Sequence, residues 1–600
     1  MRVERRTSGV AALVAGVGVL GGYATPASAQ PGPPPIAPPP AAPGDDLLGL
    51  WGGEALLGPQ VRGELLLERR GRRWTARVGG FEVAADQAGD SVVLRLPGGQ
   101  GTVRAWVPSA SRSGPAGRAP DGFWVQPADG DGPPYATPLR FRPAGAGDAG
   151  ADAWRAAVVP LDARFPLYLW VRRGGDGALQ GVFRNPAANW PGRAGVYGVV
   201  REGGTVTFLD PRTKQPRYRQ PYDSAARTLL FDFGGPILLT RRTREQAVGF
   251  VPRSPALPPY AYRPPADLGD GWRGAPARAV GVDEAALAAI VRGLVAADPL
   301  DDSLPRVHAL LVARRGRLVL DEYFYGTGPD QLHDLRSASK TITSIMAGAA
   351  MYQGAKYQGA RFDAQTAVGT VAGAPVTVGQ LLTHTSGLAC DDDDDASPGN
   401  EDAMQAQHQQ PDWYRFTLAL PRAHPPGTTY AYCSGGINLV GRVIGEATRT
   451  WLPTFFERAV ARPLGIAHYA VNLMPTGEAY AGGGMQLRPR DLVKLGQLYL
   501  DGGTWRGTRV VSAAWVAQST ARQVDRPDGS TDGFGWHRHV LTANGRAYPT
   551  YEASGNGGQF VVVVPGLDLV VATTAGNYGQ YAAWRRIREA LVPAVMAATH

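Results

Sequence analysis

The chain has 600 residues, 44% of them hydrophobic and 14 of them tryptophan, with a formal net charge of +9. Such a composition supports packed cores in two or more domains and excludes a wholly disordered chain. The positive excess is mild for this length. Its densest run, Arg69-Arg70-Gly71-Arg72-Arg73, brackets a glycine between apolar strands and reads as a hairpin tip, so no nucleic-acid partner is expected.

Residues 1–29 read as an export signal: Arg2, Arg5 and Arg6, an apolar run from Val10 to Ala24, then Ala27-Ser28-Ala29. Cleavage near Ala29 would deliver the mature chain to a periplasm or to the medium. The Arg5-Arg6 pair is compatible with a twin-arginine route. No later stretch is long and apolar enough for a transmembrane segment. Residues 30–44 form a proline-rich linker.

From 45 to 255 the pattern is short alternating strands with glycine turns, which predicts an all-β antiparallel barrel or sandwich. Hairpins are expected at Leu65–Arg69 with Arg73–Val78, at Leu167–Val171 with Leu179–Arg184, and at Leu229–Phe233 with Ile237–Thr240. Gly49-Leu50-Trp51 resembles the G-x-W opening of lipocalin-like barrels. A Pro/Gly-rich linker over 256–278 precedes an α+β domain at 279–600. There, Asp283–Ala297 predicts an amphipathic helix, and Val307–Val312 with Arg317–Tyr325 a hairpin.

A helix with one apolar face, Ile342, Ile345, Met346 and Ala349, begins near Ser337. Residues three apart share a side of a helix, so Ser337 and Lys340 project together from its first turn. There the unpaired N–H groups and the helix dipole favour developing negative charge. A serine hydroxyl becomes nucleophilic when a base takes its proton, and a desolvated lysine of lowered pKa is such a base. Arginine is not, and the chain has only four lysines among 61 basic residues: Lys214, Lys340, Lys356 and Lys494. The bland alternative is a helix-capping serine beside a solvated lysine.

Two later segments supply context. Tyr432, in Tyr430-Ala431-Tyr432-Cys433-Ser434-Gly435-Gly436, enters a helix over Ile437–Glu446, where a neighbouring lysine cation would lower its pKa enough for proton shuttling. Glycine-rich Ala553-Ser554-Gly555-Asn556-Gly557-Gly558 lies beside a strand, and a main-chain N–H there could complete an oxyanion hole with that of Ser337.

Ser337-x-x-Lys340, Leu382-Thr383-His384-Thr385-Ser386-Gly387-Leu388, Tyr432-Cys433-Ser434 and Ala553-Ser554-Gly555 occur in an order that resembles the serine β-lactamase and penicillin-binding superfamily, particularly its class C and esterase-like members. The resemblance covers roughly 275–597 and implies an antiparallel sheet flanked by helices. It also implies a Ser337 acyl-enzyme, with Lys340 and Tyr432 as general base and acid. The oxyanion would sit on the N–H groups of Ser337 and Asn556, Ser434 would support the lysine or the leaving group, and Ser554 and Gly555 would line the substrate. No metal or organic cofactor is implied.

Where β-lactam- and peptide-cleaving relatives often carry a lysine for the substrate carboxylate, this chain has Ala553. Losing that contact costs on the order of 2–3 kcal/mol of recognition, which favours uncharged small-molecule esters or amides unless an arginine reaches in from elsewhere. The alternatives are a β-lactamase or D-amino-acid peptidase, and a non-catalytic binding protein on the same fold. Intact Ser337, Lys340 and Tyr432 argue against the last.

Cys390 and Cys433 are the only cysteines and are expected to pair in an exported chain, although two separate buried thiols remain the alternative. The acidic run Asp391–Asp395 reads as a solvated or arginine-paired loop at the cleft rim, because Ala396 and the spacing to Glu401 fit a calcium loop poorly. His384 is expected to serve turn structure. His537 and His539 share a strand face without a third zinc ligand. The absence of a G-x-S-x-G elbow argues against an α/β-hydrolase, and that of a Walker loop against nucleotide-driven chemistry.

Overall fold

The computed structural model describes residues 44–600 apart from 57–60, 72, 108–118, 128–132, 146–152, 162–163, 187–194, 233–234, 355–361, 372–373 and 407–410. The export signal expected over 1–29 and the spacer up to residue 43 lie outside the described residues.

The alternating strands of the N-terminal region build two β units. Strand Gly49–Leu56 pairs with Arg164–Arg173 on one side and Pro236–Arg241 on the other, closing an antiparallel barrel with strands Leu179–Arg184, Val196–Glu202, Thr205–Leu209, Pro216–Asp223 and Thr228–Asp232. Inward side chains fill it: the Phe183 ring lies 5.0 Å from Phe208 and 5.5 Å from Phe231. The G-x-W tryptophan, Trp51, is fully buried, donates from Nε1 to the Leu47 carbonyl at 2.7 Å and carries the Arg241 guanidinium 4.4 Å over its ring.

Inserted after the first barrel strand, the second unit packs a five-stranded sheet against strands that include Ser91–Arg95, Thr102–Trp106 and Asp121–Gln126. Trp74, Trp124 and Trp154 lie in the core between them. Barrel and sandwich, alternatives in the sequence, are both present, since period-two alternation is the same in each. The three expected hairpins all form, the first in the insert and the other two in the barrel.

The insert continues into the C-terminal half. Its strand Tyr135–Arg140 pairs with Tyr469–Asn472, that strand with Met485–Leu487, and that one with His333–Asp334. Leu335 and Arg336 alone separate this last strand from Ser337.

A second eight-stranded sheet runs from Arg317–Tyr323 through Val307–Arg314, Leu569–Ala575, Gln559–Val564 and Arg546–Gly555. Its alternating residues feed two cores. Leu311, Val561, Val563 and Val570 face helices Ala338–Gln353 and Pro489–Leu500. Leu310, Phe560, Val562 and Val571 face helices Glu284–Val295 and Val592–Ala597. The first of these outer helices is the amphipathic one expected from sequence, and Asp283 caps it by accepting from the N–H groups of Ala285 and Ala286. The expected hairpin over Val307–Arg314 and Arg317–Tyr323 also forms.

Candidate active site

Helix Ala338–Gln353 is buried from Ala338 through Ala350, so its first turn opens from the middle of the larger core. The Ser337 hydroxyl makes no capping bond and instead accepts from Lys340 Nζ at 3.1 Å. Lys340 Nζ also donates to the Gly482 carbonyl at 2.8 Å and stands 4.8 Å from the centre of the Tyr432 ring. The three residues singled out in the sequence therefore converge, and the capping and solvated-lysine alternative does not describe this turn.

The electrostatics differ from expectation. Burial pushes the Lys340 pKa down, but Tyr432, Glu401 and Asp392 outweigh it, and the net direction is up. Burial pushes the Tyr432 phenol up, and the opposing pull of Lys340 and of hydrogen bonds to Ser337 and Lys340 does not bring it back to its ordinary range. The lowered values expected for both residues are thus corrected. Tyr432, together with two carboxylates that motif spacing does not reveal, pulls the ammonium up, and desolvation holds the phenol up.

Asp392 is the main residue that sequence reasoning missed. Within the acidic run read as a solvated loop, it is turned inward: Oδ2 accepts from the Ser434 N–H at 2.8 Å, while its own N–H donates to the Tyr432 carbonyl at 2.7 Å. Burial raises its pKa to about 6, against the pull of Lys340. The only sequence signal is adjacency to Cys390, which a disulfide joins to Cys433. That bridge closes a separation of 43 residues and brings Asp392 to the tyrosine segment. Replacing both cysteines by serine is expected to remove roughly 4 kcal/mol of folding stability. Activity should fall as well, read by thermal melting and ester turnover before and after reduction of the wild type.

His384 takes a left-handed turn, φ 57°, and its Nδ1 accepts from the Cys433 N–H at 3.1 Å. Burial lowers its pKa to about 3, so the ring is a neutral acceptor that positions the Tyr432 segment. His537 pairs with Asp532 at 2.9 Å and His539 approaches Glu552 at 3.4 Å.

On the opposite wall, strand Arg546–Gly555 ends against the nucleophile turn. A β-carbon on Gly555 would lie 2.1 Å from the Leu335 carbonyl and 3.1 Å from the Ala338 nitrogen, so glycine permits this approach. Ser554 is half-buried and Ala553 belongs to the apolar core. Asn556 follows at the strand end, its Oδ1 accepting from the Gly579 N–H at 2.8 Å. Ser434 is fully buried, and its N–H donates to Asp392 Oδ2.

A serine hydroxyl on a buried lysine, a phenol beside both, and a glycine-tightened strand end form an arrangement suited to acyl transfer. The β-lactamase family model matches residues 302–592. This stretch is a β-lactamase-family domain. The chain is 26% identical over 247 residues to a 6-aminohexanoate-dimer hydrolase from Paenarthrobacter ureafaciens, covering 38% of this chain and 61% of the relative. It is 29% identical over 234 residues to penicillin-binding protein 4 from Amycolatopsis lactamdurans, covering 33% and 58%. The chain thus spans less than two thirds of the length of the curated relatives it matches. A penicillin-binding protein homolog from Caulobacter crescentus superimposes with a TM-score of 0.41 at 17% identity, covering 53% of this chain and 99% of that one. The barrel and the insert lie before the matched stretch.

Proposed function

We propose that the protein is an exported serine hydrolase that cleaves a small-molecule ester or amide through a Ser337 acyl-enzyme. The observation that carries this is the contact of the partly exposed Ser337 Oγ with the buried Lys340 Nζ at 3.1 Å. Ser337 Oγ attacks the carbonyl carbon, and its proton passes to the Lys340–Tyr432 pair, which holds one proton fewer than its resting state when reactive. The tetrahedral oxyanion is held by the N–H groups of Ser337 and Asn556. Collapse breaks the ester or amide bond, the leaving group takes a proton from the pair, and water then attacks the acyl-serine by the same route in reverse. The Cys390–Cys433 bridge supports export, since structural disulfides persist in oxidising compartments.

The resting charges set a pH dependence. Both Lys340 and Tyr432 have raised pKa values, so the reactive, once-deprotonated pair is the minor form at neutral pH and grows as pH rises. For a neutral ester, kcat/KM is expected to climb by roughly tenfold per pH unit between 7 and 9. A profile flat across that range would mean that some other group takes the proton.

Incubation with a short-chain p-nitrophenyl ester and, separately, with a penicillin tests the reading. Intact mass should show Ser337 acylated, p-nitrophenol should be released, and both signals should vanish in Ser337→Ala. Ester turnover that survives in that variant overturns the proposal.

A further inference from the structure

The case for uncharged substrates rests on Ala553, and the structure answers it from another position. We propose that Arg336 is a carboxylate-binding residue of this site, so that the preferred ester or amide carries an anionic group near its scissile bond; this deepens the serine hydrolase reading and rests on it.

Arg336 immediately precedes Ser337, with adjacent α-carbons necessarily about 3.8 Å apart. Its backbone is left-handed, φ 48°, a conformation that ordinary side chains adopt only when their surroundings impose it. Asp334 imposes it twice: Oδ1 accepts the Arg336 N–H at 2.9 Å, and Oδ2 pairs with Nε at 2.8 Å. The guanidinium lies 5.2 Å over the Tyr578 ring. The next residue after that tyrosine, Gly579, donates to Asn556 Oδ1, so the platform under Arg336 is tied to the segment assigned to the oxyanion.

With Nε committed to Asp334, the Nη1 and Nη2 groups make no hydrogen bond among the described residues. The side chain is 46% exposed. Other arginines of this half are used differently: Arg490 is closed into Asp270 and Asp321, and Arg488 into Asp491, all with little exposure. Glu401 pulls the pKa values of both Arg336 and Lys340 up. The Glu401 carboxylate already accepts from the Tyr480 hydroxyl at 2.5 Å and from Gln405 Nε2 at 3.0 Å. What remains open, one residue from the nucleophile, is a planar fork of two donors, anchored at one edge and supported on one face. That geometry matches a carboxylate bidentately.

The test uses two ester pairs: 4-carboxyphenyl acetate against 4-carbamoylphenyl acetate, and the monophenyl ester of adipic acid against its ω-carboxamide. In the full-length protein, the carboxylate member of at least one pair should have a kcat/KM about tenfold or more above its carboxamide. Arg336→Gln should erase that preference chiefly through KM, and Arg336→Lys should retain part of it. Arg336→Asn, whose residue type tolerates left-handed backbone, provides the same comparison if the glutamine variant does not fold. No preference in either pair overturns the proposal. Equal losses on both members of a pair in the variant also overturn it, since they would assign Arg336 only to the shape of the turn. If no ester and no fluorophosphonate acylates Ser337, the hydrolase reading fails and the carboxylate site fails with it.

Discussion

Lys340→Ala is expected to abolish Ser337 acylation, with kcat/KM lower by about 10²–10⁴-fold and no adduct from a fluorophosphonate by intact mass. The Lys340 ammonium touches the nucleophile and its charge pulls the Tyr432 pKa down, so its removal leaves the phenol more reluctant to give up its proton. It also leaves Asp392 and Glu401 without the cation that their charges stabilise. A buried charge stripped of its partner is strongly destabilising, so the alanine variant should be compared at a temperature where circular dichroism shows it folded. Lys340→Arg keeps the positive charge but cannot release a proton near neutral pH. If Lys340→Arg acylates at the wild-type rate, the lysine is an electrostatic support and not a proton carrier. Loss in both variants, with folding retained, is the expected result.

The parts of this site that were legible in the sequence are those governed by local geometry. A helix period brings Ser337 and Lys340 to one turn, and a short tyrosine segment enters helix Ser434–Thr448 at its start. The Cys390–Cys433 pair could be anticipated because there were only two cysteines to join. What could not be read depends on long-range packing. Asp392 sits in a run of five aspartates, and nothing local distinguishes the one that turns inward to Ser434 from its solvated neighbours. The rise at Lys340 comes from Tyr432 and then from Glu401 and Asp392, and the rise at Tyr432 comes chiefly from burial, all set by packing that local reasoning does not see, which is why it gave the wrong sign. Arg336 was hidden for a related reason: an arginine before a nucleophile carries no motif, and only its left-handed backbone and the ring of Tyr578 give it a direction. In the N-terminal region the alternation and turns specified strands and hairpins, but not that residues after the first barrel strand would leave to build a separate sheet and return.

That excursion leads to the second large effect expected. Asp121, on the insert, is 1% exposed in its side chain and receives Arg458 Nε at 2.6 Å and Arg462 Nη2 at 2.5 Å from the C-terminal half. Nearby, Arg140 of the insert is paired with Glu457, whose other oxygen accepts the Tyr469 hydroxyl at 2.9 Å. Asp121→Ala removes the shared acceptor of Arg458 and Arg462, of which Arg462 is 44% exposed and keeps Glu457 as a partner, so the cost should be about 1–3 kcal/mol of stability. The wild-type contribution has a defined pH sense. Burial would raise the Asp121 pKa, but Arg462 and Arg458 outweigh it and hold the carboxyl below its ordinary value. Its stabilisation is therefore present above the unfolded-state carboxylate pKa of about 3.9 and is lost as pH falls through the lower folded value. Because strand pairing runs from Tyr135–Arg140 through Tyr469–Asn472 and Met485–Leu487 to His333–Asp334, loosening the insert loosens the strand that delivers Ser337. Ester turnover in Asp121→Ala should fall at temperatures below its melting point, with fluorophosphonate labelling slowed in parallel. A variant that melts earlier yet turns over normally below its transition would show that the continuous sheet anchors the insert without shaping the nucleophile. Loss of both together would make the insert part of the catalytic architecture.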